Sequence, residues 1–235
     1  MPAPTYRSMW PIYAKRWDQM VVKPEKASTV AAIAKRILTN KARYAKIEKS
    51  TGVPWFMVAV LHERESSQSW NTQLAQGDPL NAVSIHVPRG RGPFNTFEDS
   101  AYDALVNLKQ YDKVIDWRLE KILYYCEKYN GWGYWQYHNA VPSPYIWSMT
   151  NVQKPGKYVA DGQWDGTADD KQVGCAILLS ALADFDKSIK FVRETEDGPT
   201  KPPPDPVLPD DPAEKMLDEI NDAIRVIVKK YVKDN

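Results

Sequence analysis

The stretch Gly52-Val53-Pro54-Trp55-Phe56-Met57-Val58-Ala59-Val60-Leu61-His62-Glu63-Arg64-Glu65-Ser66 decides the fold class. Gly52 is a natural stop for a preceding helix, and Pro54 suits the first turn of a new one. Residues 54–66 then read as a helix that is apolar on every side for two turns. A helix with no polar face has to be buried at the centre of a packed domain. It ends abruptly in His62, Glu63, Arg64 and Glu65, so it carries carboxylates out of a dry interior.

Helical spacing continues on both sides. Residues 41–49 form a helix that stops at Gly52, and before it Val30, Ile33, Ala34, Ile37 and Leu38 recur at helical spacing as far as Thr39. Ser28 or Thr29 is the expected N-cap of that segment. Residues 1–28, rich in Pro, Trp and Tyr, read as an irregular or partly helical lead-in. Downstream, residues 67–97 read as loop and short strand. Val83-Ser84-Ile85-His86-Val87 alternates as one strand of a small β-hairpin would. Helices are expected over 96–111 and 117–129, then an aromatic region punctuated by Gly and Pro over 130–164, then a last helix over 167–185. The expected fold is mainly α, a helical domain over residues 1–195 with a small β-hairpin. Seven prolines between Pro199 and Pro212 mark residues 196–212 as a semi-rigid linker. Residues 213–235 read as an amphipathic C-terminal helix, whose apolar stripe either docks on the domain or supports self-association.

Composition excludes some functions. Among 235 residues, 31 basic and 30 acidic side chains leave a net charge of +1, which gives no footprint for nucleic acid. No stretch is long and apolar enough for stable membrane insertion. The N-terminus has no apolar core of a conventional signal peptide, so synthesis in the cytoplasm is expected. Cys126 and Cys175 make no disulfide framework and read as buried thiols. His62, His86 and His138 are widely spaced and lack nearby Cys partners, so neither a metal nor another cofactor is expected. Nine Trp and thirteen Tyr against five Phe tilt the aromatic content towards rings with a polar handle. Such rings suit surfaces that stack on sugars, although many will be core.

Glycosidic cleavage needs a carboxylic acid that is still protonated near neutral pH. Burial and a helix C-terminus both favour that state. Glu65 meets both conditions, but helix geometry alone does not choose between Glu63 and Glu65. Asp78, on the Gly77-Asp78-Pro79 turn, is the candidate for a second carboxylate that activates water, or else the organiser of an Asx-type turn.

The helix ending in Glu65-Ser66 resembles the catalytic helix of goose-type lysozymes and soluble lytic transglycosylases, and Tyr129-Asn130-Gly131 resembles their Tyr-Asn-x-Gly motif. More closely, the chain is similar to lysozyme-like proteins of bacteria and prophages. The likeness lies in His62-Glu63-Arg64-Glu65-Ser66, Gly77-Asp78-Pro79-Leu80, Tyr129-Asn130-Gly131-Trp132-Gly133-Tyr134, Ser143-Pro144-Tyr145-Ile146-Trp147-Ser148 and Gly156-Lys157-Tyr158-Val159-Ala160-Asp161-Gly162. These stretches span about residues 52–183. The Gly-Leu-x-Gln segment typical of transglycosylases is absent. The resemblance implies a lysozyme-like fold and a muramidase or lytic transglycosylase acting on peptidoglycan glycan strands. It implies Glu65 as general acid, with Tyr129, Asn130, Trp132, Tyr134, Tyr145 and Trp147 as the sugar groove. It also implies action on the cell wall after holin-type release or carriage in a phage-like particle. Two rival readings remain, a chitinase-like polysaccharide hydrolase and a non-catalytic wall-binding protein. An ion pair between Glu65 and Arg64 would favour the second.

Overall fold

The computed structural model describes residues 2–160 and 162–194. The linker expected over 196–212 and the C-terminal helix with its self-association lie outside the described residues.

Thr5 opens the first helix by accepting a hydrogen bond from the Ser8 amide, and α1 runs Tyr6–Gln19. The lead-in is therefore more ordered than its composition suggests. A 3-10 turn at Pro24–Lys26 runs directly into α2 (Ala27–Thr39). The expected Ser28 or Thr29 cap thus falls inside the helix. Pro24, with its fixed φ, starts helical geometry earlier than any side-chain cap.

α3 (Lys41–Thr51) ends at Gly52, whose φ of +75° suits a residue without a Cβ. α4 (Trp55–Ser66) follows as expected, with Met57, Val58, Ala59, Val60 and Leu61 fully enclosed. Its end is fixed without glycine. Ser67 and Gln68 take left-handed φ values of 53° and 63°, and their amides return to the carbonyls of Glu63 and His62 at 3.0 and 3.2 Å. α3 and α9 (Cys175–Phe185) pack along α4, and α6 (Leu119–Asn130) also contacts it. α1 lies on α6, and α2 lies on α9. Two short helices, α7 (Gly133–Tyr137) and α8 (Pro144–Trp147), occupy the aromatic region.

The helix expected over 96–111 forms in two parts. Thr96 and Asp99 make a reciprocal capping box for α5 (Phe97–Tyr102), which continues as a π-helical turn at Asp103–Leu108. The last helix starts at Cys175 rather than near 167. Asp165 takes the amides of Thr167 and Ala168, and Asp170 takes that of Gln172, so side chains compete for the amides a helix would use.

The hairpin lies elsewhere than expected. It pairs β1 (Lys157–Ala160) antiparallel with β2 (Gln163–Asp165), with Tyr158 opposite Trp164 and an irregularity before Ala160. Residues 83–87 form no strand. Their alternation is real, but Val83, Ile85 and Val87 remain exposed, Ile85 by 70%. The successive amides of Ile85 and His86 both donate to the Asp78 carboxylate, which curls the segment around one side chain instead of extending it along a partner.

Some polar groups in the core are closely matched, while among the described residues Arg64 Nε, Gln68 Oε1, Gln73 Oε1, Ser143 Oγ and Trp147 Nε1 are buried without a hydrogen-bond partner. His62 is enclosed, stacks on Phe97 at 4.0 Å, and meets the Ser69 carbonyl through Nε2 at 2.9 Å and the Tyr44 hydroxyl through Nδ1 at 3.0 Å. A carbonyl only accepts, so Nε2 carries the hydrogen and Nδ1 accepts from Tyr44. Burial, aided by Arg43 and Arg36, lowers the imidazole to about 4 against the pull of the Ser69 carbonyl and Glu98.

Two outcomes follow for stability. A Cβ at Gly174 would stand 2.5 Å from the Ile146 carbonyl oxygen and 2.7 Å from the Ser148 amide, where α8 meets α9. Gly174→Ala should lower the unfolding free energy by about 3 kcal/mol, read by urea denaturation; a neutral effect would mean that this contact is loose. The His62 shift is downward, so its contribution is complete above the unfolded value and declines as pH falls towards 4. Stability should drop by roughly 2–3 kcal/mol from this group between pH 7 and 4.5. His62→Gln should flatten that part of the pH dependence, and an unchanged slope would refute the assignment.

Candidate active site

The four polar residues that close α4 point to four different places. His62 reaches α3 through Tyr44. Glu63 is buried and accepts from Arg36 of α2 at 2.9 Å and from Gln68 at 2.7 Å. Arg64 is buried, with Nη2 donating to Asp170 at 2.8 Å and Nη1 to the Val173 carbonyl at 3.2 Å. Glu65 is half-buried and accepts from the Tyr145 hydroxyl at 2.7 Å. The alternatives left by the sequence therefore separate. Glu63 holds an arginine, whereas Arg64, the cation next to Glu65 in sequence, is paired with Asp170.

Electrostatics follow from that geometry. Burial pushes the Glu65 carboxyl above the usual carboxylate range, opposed by the Tyr145 hydrogen bond and by the charges of Arg64 and Lys109. The carboxyl also sits at the negative end of the α4 dipole, which disfavours its ionised form. Burial raises the hydroxyls of Tyr129 and Tyr145, and the Glu65 charge raises both further, so two phenols face this carboxylate. Tyr129 donates to the Leu74 carbonyl at 3.1 Å, and the Lys109 ammonium stands 5.6 Å from the centre of its ring.

The other residues proposed for the groove divide. Tyr145 touches Glu65 directly, and Tyr129 lines the same corner. Asn130 is exposed at the end of α6, before the positive-φ Gly131. Tyr134 packs edge-on against Tyr158 and Trp164, and His138 stacks on Trp164 at 3.5 Å with the planes 8° apart. This aromatic cluster on the hairpin adds His138, Tyr158 and Trp164 to the rings expected from sequence. Trp132 and Trp147 are core instead. Trp132 packs on Tyr124 at 5.1 Å, and Trp147 is fully enclosed and stacked on Tyr13 at 6.4 Å. Both are held by close packing among the α1, α6 and α8 side chains.

Asp78 is buried in the loop that follows α4. Its Oδ2 accepts from the amides of Ile85 and His86, both at 3.1 Å, and its Oδ1 meets the His86 ring at 2.7 Å. Burial would raise this carboxyl, but the His86 amide and ring and the Ile85 amide together hold it below the usual range. Asp78 thus organises its loop, and a carboxylate held ionised in this way is a weak base. The loop itself adjoins the site, because a Cβ at Gly77 would lie 3.8 Å from the Glu65 carbonyl oxygen.

Among the described residues, no three His, Cys, Asp or Glu side chains converge as a metal site, and no helix is long and apolar enough to cross a membrane. Surface hollows of about 700 Å³ beside Pro11 and Lys154 and about 180 Å³ beside Val22 and Ile177 are not lined by Glu65 or its partners. Compared with protein-family models, with curated proteins and with solved structures, the chain matches none.

The raised Glu65 carboxyl makes a stability statement. A group that holds its proton more tightly when folded penalises the fold progressively as pH rises above its unfolded value. Glu65→Gln keeps an oxygen for Tyr145 and removes the charge. It should melt higher than wild type at pH 8 and close to it at pH 4, as read by thermal unfolding. A variant less stable at pH 8 would contradict the desolvated carboxyl.

Proposed function

We propose that this protein is a peptidoglycan glycosidase with a lysozyme-like domain, cleaving the β-1,4 bond between N-acetylmuramic acid and N-acetylglucosamine with Glu65 as general acid. The observation that carries the reading is a carboxyl at the end of a buried helix, raised by desolvation and held by the Tyr145 phenol. Such a group holds its proton more tightly than an exposed carboxylate does, which is what a general acid needs. The pairing of Arg64 with Asp170 removes the feature that would have favoured a binding protein without turnover.

The course of the reaction depends on what captures the sugar once the bond opens. The other carboxylates close to the end of α4 are engaged: Glu63 by Arg36, Asp170 by Arg64 and Lys157, and Asp78 by His86. This supports a single-carboxyl mechanism. Glu65 donates its proton to the leaving oxygen, and the resulting carboxylate takes a proton from the sugar's own C6 hydroxyl as that oxygen closes on C1. An anhydro end is then the expected product. A second carboxylate placed to activate water would instead give a reducing end.

Mass spectrometry of purified peptidoglycan after incubation with wild type and Glu65→Gln tests both levels. Wild type should release muropeptides with anhydro ends, and the variant should lose at least a thousandfold in rate, in line with loss of a general acid from a water-poor site. Reducing ends would keep the glycosidase and reject the single-carboxyl course. Wall binding without release by either protein would reject catalysis.

A further inference from the structure

Arg64 and Glu65 are adjacent in sequence, both near the dry end of α4, yet they do not pair. A buried guanidinium beside a partly buried carboxyl would ordinarily take it as partner, because each relieves the other's desolvation. What prevents this is Asp170, which comes from the irregular segment between the hairpin and α9. It is buried, its Oδ2 lies 2.8 Å from Arg64 Nη2, and its Oδ1 lies 3.6 Å from Lys157 Nζ on β1. Backbone contacts hold the arrangement from both sides. Arg64 Nη1 donates to the Val173 carbonyl at 3.2 Å, Gln172 Nε2 donates to the Arg64 carbonyl at 3.1 Å, and the Ser148 hydroxyl and Gln153 amide donate to the Asp170 carbonyl at 2.9 and 3.0 Å. The guanidinium is left facing the Tyr145 ring, 4.6 Å from its centre, while the hydroxyl of that ring holds Glu65 at 2.7 Å. One aromatic ring thus separates the charge from the carboxyl.

We propose that Asp170 is a positioning residue for Glu65: by holding Arg64 in a buried ion pair it keeps the neighbouring cation from claiming the acid, and leaves Glu65 to Tyr145. The inference rests on the reading of Glu65 as the acid. The charged and titratable groups facing Glu65 are Arg64 from its own helix, Tyr145 from α8, Tyr129 from α6 and Lys109 after the π-helical turn. Of these, Arg64 is the one whose charge Asp170 neutralises. Removing Asp170 leaves a buried cation whose adjacent anion is Glu65, and the carboxyl should then ionise more readily.

The test follows Glu65 itself. In the full chain with ¹³C-labelled glutamate side chains, the Glu65 resonance is assigned by its loss in Glu65→Gln and titrated by NMR in wild type, Asp170→Asn and Arg64→Gln/Asp170→Asn. Asp170→Asn should move the Glu65 titration to lower pH and shift the alkaline limb of glycan release the same way, so that release at pH 7 falls severalfold while release at pH 5 is kept. The double variant, which removes cation and partner together, should titrate no lower than wild type does. An unmoved Glu65 titration in folded Asp170→Asn overturns the proposal. If Asp170→Asn does not fold, the double variant decides alone: with the Arg64 cation gone nothing in that pair favours ionisation of Glu65, so a titration displaced downward in the double variant overturns the proposal. Because the titration needs no substrate, absence of glycan cleavage would reject the enzymatic reading without bearing on the role of Asp170.

Discussion

α4 has no solvent face, and it ends in four consecutive groups that each need a polar partner. Successive residues on a helix turn by about 100°, so four of them sweep the full circumference. Each must therefore be answered by a different neighbour, and each is. Tyr44 and the Ser69 carbonyl answer His62, Arg36 and Gln68 answer Glu63, Asp170 answers Arg64, and Tyr145 answers Glu65. Those partners come from α3, α2, the segment before α9, and α8, together with the turn after α4. The polar end of one helix in this way fixes the relative placement of much of the domain, since a partner out of place would leave a buried charge or donor unsatisfied.

The parts of the fold that were legible in sequence are those governed by local chemistry. Gly52 and Pro54 bracket α4, and its apolar run reports burial because nothing else explains a helix without a polar side. What sequence did not yield are outcomes decided by distant partners. Residues 83–87 alternate as a strand does, but a strand needs a neighbour, and Asp78 takes their amides first. The hairpin forms instead at β1 and β2, where Tyr158 and Trp164 face each other across strands and Gly156 admits the Trp164 ring, which would stand 2.5 Å from any Cβ there. α9 starts late because Asp165 and Asp170 claim amides that its apolar content alone would assign to the helix.

The site shows the same division. Glu65 could be singled out as a carboxyl at the end of an apolar helix, but its distinction from Glu63 could not, because both sit on buried faces and only tertiary contacts assign Arg36 to one and Tyr145 to the other. Aromatic residues identify a region without sorting it. Tyr145 and Trp147 stand two positions apart in α8, yet one holds the carboxyl and the other is sealed against Tyr13. Asp170 carried no signal, lying in a charged run read as the start of the last helix, where an aspartate is unremarkable until the fold brings it to Arg64.

A group that must exchange a proton cannot also be firmly paired with a cation, because the pair stabilises one charge state and resists the change. Glu63, Asp78 and Asp170 each have such a partner or its equivalent, and each serves the architecture: Glu63 joins α4 to α2, Asp78 shapes the loop beside the Glu65 carbonyl, and Asp170 restrains Arg64. Glu65 has the Tyr145 phenol, which can support the carboxyl in either state, as donor to the anion and as acceptor from the acid. The pairing of Glu63, Asp78 and Asp170 consumes Arg36, His86 and Arg64 and leaves Glu65 desolvated beside Tyr129 and Tyr145, which is where a fold under no functional demand would be expected to place a neutral side chain.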